Sequence, residues 1–187
     1  MVDRCFIAVD IEELSLRTAF LRVQDDIVAT RADVKCVEPE NIHITLKFFG
    51  ELEESKTLKI AEVIQRMAFK PFKLNFKGVG VFPALSRPSV IWAGVTGDVS
   101  EMLKVFSDLE KELKALGFEP ERRPFSPHIT LCRVRSGKNR SLLATAINGM
   151  ENESFGELEV KTIKLKKSIL TRSGPIYNTI AESRVIE

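Results

Sequence analysis

His43-Ile44-Thr45-Leu46 returns as His128-Ile129-Thr130-Leu131, an offset of 85 residues, and these two tetrapeptides hold the only histidines in a chain of 187 residues. At ordinary residue frequencies, two lone histidines share their next three neighbours by chance with odds on the order of one in a thousand or less. The repeat therefore organises the reading of the whole chain. Before the first copy stand an apolar strand (5–9), an amphipathic helical stretch (about 11–28), a short segment (34–37) and the turn residues Pro39, Glu40 and Asn41. Before the second stand a strand (90–95), a helical stretch (about 99–116), a Gly117 stop and a turn-rich segment ending at Pro127. Apolar periodicity and turn residues carry these assignments.

The repeat continues beyond each motif. A helix over about 53–68 and a strand over 72–82 follow the first, with a connection through Ser86-Arg87-Pro88. A shorter helix (about 140–150), a strand pattern over 158–170, a connection through Arg172-Ser173-Gly174-Pro175 and a last strand (176–181) follow the second. Long strand pairs with helices on one face suit antiparallel pairing. The expected fold is α+β and bilobal. Two pseudo-twofold-related lobes each carry an antiparallel sheet with helices outside, and a cleft lies between them. Residues 1–187 form one domain of two interleaved halves.

Side chains in a strand alternate between faces. Ile44 and Leu46 can anchor the first motif in the core, leaving His43 and Thr45 on the open face. Ile129 and Leu131 do the same for His128 and Thr130. Two such strands offer two imidazoles and two hydroxyls to one small anion. Phosphodiester cleavage needs one base to deprotonate the attacking oxygen and one acid to protonate the leaving oxygen. Imidazole reaches both states near neutral pH, and hydroxyls can donate to non-bridging phosphate oxygens. The residues alone do not rank the two histidines as acid and base.

Simple alternation puts Lys47 in phase with His43, so it is a candidate to reach the phosphate. Arg133 is out of phase with His128 and reaches the cleft only if the strand bulges, bends or ends. Cys132 is in phase and reads as a buried thiol. Phe125, beside the second motif, is the first choice for stacking on a base; Trp92 and most phenylalanines are core candidates.

The net charge of +2 does not argue for nucleic acid by itself. Its distribution says more: six basic residues and no acidic one lie between Arg122 and Arg140, around His128, and a second acid-free run spans Lys161 to Arg172. Three widely spaced cysteines (Cys5, Cys36, Cys132) argue against a disulfide framework or a cysteine-rich zinc site. Neither histidine has a metal-ligand partner at helical spacing. No metal and no cofactor are expected. No apolar run approaches the roughly 18–20 residues that cross a bilayer, and the first residues do not make a signal peptide. A cytoplasmic location and no membrane partner are expected.

Taken with their flanks, these residues resemble the 2H phosphoesterase superfamily, defined by two H-x-[S/T]-x motifs. The similarity is to its LigT-like RNA 2′,3′-cyclic phosphodiesterases, also called 2′-5′ RNA ligases. The resemblance runs through Arg4-Cys5-Phe6-Ile7-Ala8-Val9-Asp10, Asn41 to Gly50, Arg87 to Val95 and Phe125 to Arg133. It implies metal-free hydrolysis of an RNA-terminal 2′,3′-cyclic phosphate to a 2′-phosphomonoester, and 2′-5′ joining of tRNA halves. It also implies His43 as proton donor, His128 as proton acceptor, and a phosphate-binding role for Arg133 beside Thr45 and Thr130. A monomer is expected. Two other functions fit the same residues: a non-catalytic module binding RNA ends, and a phosphodiesterase acting on a small nucleotide.

Overall fold

Apolar spacing of three and four residues builds the helices. In Leu14–Ala29 it buries Leu16, Phe20, Val23 and Ile27, and in Val99–Ala115 it buries Met102, Val105, Leu109 and Leu113. Gly117, at φ 85°, closes the second of these with its N–H on the Lys114 carbonyl. The computed structural model describes residues 2–172 and 174–186; position Ser173 of the expected 172–175 turn lies outside the described residues.

In chain order the elements are β1 (Val2–Asp10), α1 (Leu14–Ala29), β2 (Val34–Cys36), β3 (His43–Glu53), α2 (Glu54–Arg66), β4 (Ala68–Phe69) and β5 (Phe72–Phe82). They continue as β6 (Val90–Gly97), α3 (Val99–Ala115), β7 (His128–Val134), α4 (Arg140–Gly149), β8 (Ser154–Val160), β9 (Lys164–Leu170), β10 (Pro175–Glu182) and β11 (Arg184–Val185). One nine-stranded sheet runs β10-β9-β1-β3-β7-β6-β5-β8, with β2 also on β7. Every pairing within it is antiparallel. The α+β architecture with antiparallel pairing is thus the one the sequence predicts. The halves, however, share a continuous sheet.

Their junction is narrow. β3 and β7 pair through Ile44 and Ile129, both fully buried. These two residues are themselves repeat equivalents, so the two motifs meet at the same position of each. The antiparallel direction then sets His43 on the Thr130 side and Thr45 on the His128 side.

Two stretches behave differently from their sequence pattern. The expected single strand over 158–170 is two strands, β8 and β9, on opposite sides of the sheet. Ile163, in the break, is fully buried, and its N–H and C=O both bond Ser183. Leu158 and Val160 stand in one phase and Ile163 and Leu165 in the other, so the apolar alternation itself shifts at the break. The strand over 72–82 leaves the first half to pair with β6 and β8.

The cysteines also depart from expectation. Cys36 and Cys132 are direct neighbours across β2 and β7 and form a disulfide; Cys5 is free and buried. Parity and spacing carry no information about a strand pairing 96 residues apart in sequence.

Candidate active site

The two histidines are held in the same way. His43 Nδ1 lies 2.7 Å from the Asn41 carbonyl, and His128 Nδ1 lies 2.8 Å from the Ser126 carbonyl. A carbonyl only accepts, so each Nδ1 carries the proton and donates it. Each Nε2 is left as the nitrogen that can exchange a proton. Asn41 and Ser126 are repeat equivalents, so the lock was duplicated with the motif. Thr45 Oγ1 is 2.9 Å from His43 Nε2 and donates to it in the neutral ring.

A shared irregularity decides which later side chains face the same way. In β3, Lys47 pairs with Ile7 and Thr45 with Ala8, leaving Leu46 as an extra residue. In β7, Cys132 pairs with Ile91 and Thr130 with Trp92, leaving Leu131 as the extra residue. Leu46 and Leu131 are again repeat equivalents, and each bulge reverses the phase of the strand beyond it.

Lys47 is therefore turned away from the cleft, contrary to its expected place. Its buried ammonium donates to Glu110 Oε1 at 2.7 Å and to the Glu119 carbonyl at 3.0 Å. By the same device Arg133 is turned towards the cleft. Buried Gln24 braces the second bulge, donating from Nε2 to the carbonyls of Leu131 and Val37, both at 2.9 Å.

A cavity of about 350 Å³ opens on the His43 side of the junction. His43, Thr45, Thr130 and Arg133 form part of its wall. His128 is not part of that wall; its half-buried ring meets Phe82 edge-on, 5.1 Å between centroids. Phe125 is also absent from the wall. It stacks on Phe106 at 4.3 Å, packed against the core, so it does not present a face to a base there. The aromatic surface of the cavity comes instead from Phe6, Phe48 and Tyr177. Of these, Phe6 and Tyr177 also box the His43 ring, at 5.0 and 5.6 Å.

Arg4 and Lys35 add positive charge to the wall. Sequence reasoning passed over Arg4, Lys35, Phe48 and Tyr177 as site residues. Phe48 could have been found, because it is the repeat equivalent of Arg133; the other three come from strands remote in sequence.

Burial pushes the His43 imidazole below its ordinary value of 6.5, and Lys166 and His128 push the same way. The Asn41 carbonyl and Asp10 oppose them. Burial raises the Tyr177 phenol against the pull of Arg133 and Arg4. Among the described residues, no three of His, Cys, Asp and Glu gather as a metal-binding group.

The sequence matches the family described as "AKAP7 2′5′ RNA ligase-like domain" over residues 5–185. The chain belongs to the LigT-like 2H phosphoesterases. Among curated members of this family, an Aeropyrum pernix protein is 40% identical over 161 residues, covering 86% of this chain and 92% of its own. One from Methanothermobacter thermautotrophicus is 40% identical over 191 aligned positions, covering 99% and 100%. Both are named RNA 2′,3′-cyclic phosphodiesterase. Among solved structures, Thermus thermophilus TT0787 superimposes with a TM-score of 0.75 at 26% identity, over 96% of each chain. The apo form of E. coli LigT gives 0.77 at 22% identity, over 100% of this chain and 99% of that one, a likeness of fold.

Proposed function

We propose that this protein hydrolyses the 2′,3′-cyclic phosphate of an RNA 3′ end to a 2′-phosphomonoester, using His43 and His128 as an acid–base pair and no metal ion. One observation carries the reading: two motif strands meet at Ile44 and Ile129 with matching Nδ1 locks, so each histidine keeps Nε2 for proton exchange. Relatives at 40% identity along most of the chain bear the name of this activity.

The asymmetry of the cavity supports an order for the two histidines. In this reaction the P–O3′ bond breaks, and the departing O3′ belongs to the nucleoside. Water must attack from the opposite side. A nucleoside lying in the cavity puts O3′ beside His43 and leaves His128 on the far side of phosphorus. His128 Nε2 then takes the proton of the attacking water, and His43 Nε2–H gives its proton to O3′. Thr45, Thr130 and Arg133 hold the non-bridging oxygens as their charge grows. A 5′-hydroxyl of a second RNA in the position of the water would give a 2′-5′ linkage by the same steps, which is how two tRNA halves would be joined. We take the chain to be one catalytic unit of two interleaved, pseudo-symmetric halves, which needs no second copy because both motifs lie on it.

The test is product analysis on an oligoribonucleotide ending in a 2′,3′-cyclic phosphate, with 2′- and 3′-phosphate resolved. The expected product is the 2′-phosphate alone. His43→Ala and His128→Ala should each lower turnover by about 10²-fold or more, and EDTA should leave the parent unchanged. Either variant turning over like the parent would remove the acid–base assignment. Loss in EDTA restored by added metal would remove the metal-free one.

A further inference from the structure

Three cations line the cavity, and no ion pair to a described carboxylate satisfies any of them. Arg133 and Lys35 sit directly opposite each other across β7 and β2. Like charges in that relation repel and weaken a sheet. Arg4 comes from β1, on the other side of the cavity, with its guanidinium 5.0 Å from the centre of the Phe48 ring. Arg4 and Arg133 both act on the Tyr177 phenol, so the charges converge on one region of the wall. Other cations that share a strand or sheet neighbourhood with a carboxylate do pair, as Lys164 and Lys166 do with Asp10 and Lys73 with Glu157.

Position separates this charge from the reacting phosphate. Arg133 is three residues beyond Thr130, about 10 Å along an extended strand. A guanidinium can fold back over that distance, but Lys35, on the next strand out, adds charge farther from the histidines. Even with Glu38 in the same wall, the three cations leave more positive charge than one cyclic phosphate monoanion requires.

We propose that Lys35 and Arg4, flanking Arg133, form a second anion subsite that takes the phosphate on the 5′ side of the reacting nucleoside. This rests on the cyclic-phosphate reading above and sharpens its substrate class: a nucleotide bearing a 5′ phosphate, which in RNA is the penultimate phosphodiester. The stacked Arg4–Phe48 pair supplies a flat surface beside that phosphate, on which a base or ribose can lie.

Three substrates separate the sources of that phosphate: a nucleoside 2′,3′-cyclic phosphate, the same compound with a 5′-phosphate, and a dinucleotide ending in the cyclic phosphate. The parent should prefer the last two over the first by about tenfold or more in kcat/KM, as one or two charge-assisted contacts would give. Lys35→Met and Arg4→Met should each cut that ratio and reduce the salt dependence of kcat/KM on the dinucleotide. Lys35→Glu should cut the ratio further. Preference for the dinucleotide but not the 5′-phosphorylated mononucleotide would assign the discrimination to the neighbouring nucleoside and overturn the anion subsite. So would equal kcat/KM for all three substrates in the parent, or an undiminished ratio in Lys35→Met, Arg4→Met. If the parent turns over none of the three, the cyclic-phosphate reading fails first. If it turns over all three alike, only the subsite fails.

Discussion

At the residue scale, His43 has the more consequential surroundings. It is enclosed by Phe6 and Tyr177, and burial favours its neutral form. A buried acid with a depressed pKa is a strong proton donor, yet in the free enzyme it is protonated only at acidic pH. If His43 is the acid, kcat/KM must fall as pH rises through a value below 6.5. A bound phosphate anion favours the imidazolium, so the corresponding limb of kcat should lie at higher pH. The pH profiles of both constants, measured on one cyclic-phosphate substrate, check this. An alkaline limb of kcat/KM well above 7, and unchanged in kcat, would contradict a buried acid with a depressed pKa at His43. Lys47 teaches a complementary lesson. Its charge serves Glu110, and Glu110 Oε2 in turn accepts the Glu121 N–H at 2.8 Å, in the segment that leads to His128. Lys47→Met strands a mostly buried carboxylate and should destabilise the protein by about 3 kcal/mol, measured by urea unfolding.

At the scale of elements, one extra residue per motif strand does most of the selecting. The bulges at Leu46 and Leu131 remove a lysine from the cleft and bring in an arginine. Gln24 is the brace of the second bulge, since its amide reaches the Leu131 and Val37 carbonyls from α1. Gln24→Met keeps the volume and leaves both carbonyls without that donor. A stability loss of about 1–3 kcal/mol is expected, with a fall in kcat/KM that the same loss at a remote site does not cause. The Cys36–Cys132 disulfide holds the neighbouring β2 to the same strand. Closing a loop of this length constrains the unfolded chain by about 4–5 kcal/mol in the chain-entropy account. Cys36→Ser should unfold at lower urea than the oxidised parent and should not respond to reductant, whereas the parent should.

At the scale of the molecule, two halves of one sheet meet through one isoleucine pair. α1, which follows β1 in the chain, packs on β7 and β8, while α2 packs on β1, β3, β9 and β10. The chain thus ties the halves together by crossing helices and strands between them. Ile44→Ala and Ile129→Ala should each cost about 2–5 kcal/mol, as truncation of a fully buried isoleucine does. Because the two residues touch across the junction, the double variant should deviate from additivity by about 0.5 kcal/mol or more. Urea unfolding of the cycle measures this. Additive losses would mean that the junction is not an energetic unit.

The sequence by itself determined the repeat, the helices and strands around it, and the paired His-Thr faces. All of these are written in local periodicity and in the identity of two tetrapeptides. It also supplied the family, whose motifs are contiguous. Only the tertiary structure decided that Lys47 leaves the cleft, that Arg133 enters it, and that Phe125 stacks on Phe106 while Phe48 and Tyr177 line the cavity. A bulge changes the phase of a strand without changing its composition, so alternation counted along the chain misses it. The disulfide and the gathering of Arg4 and Lys35 around one cavity are equally hidden. Each depends on which strands become neighbours, and that choice is made by packing across the whole sheet.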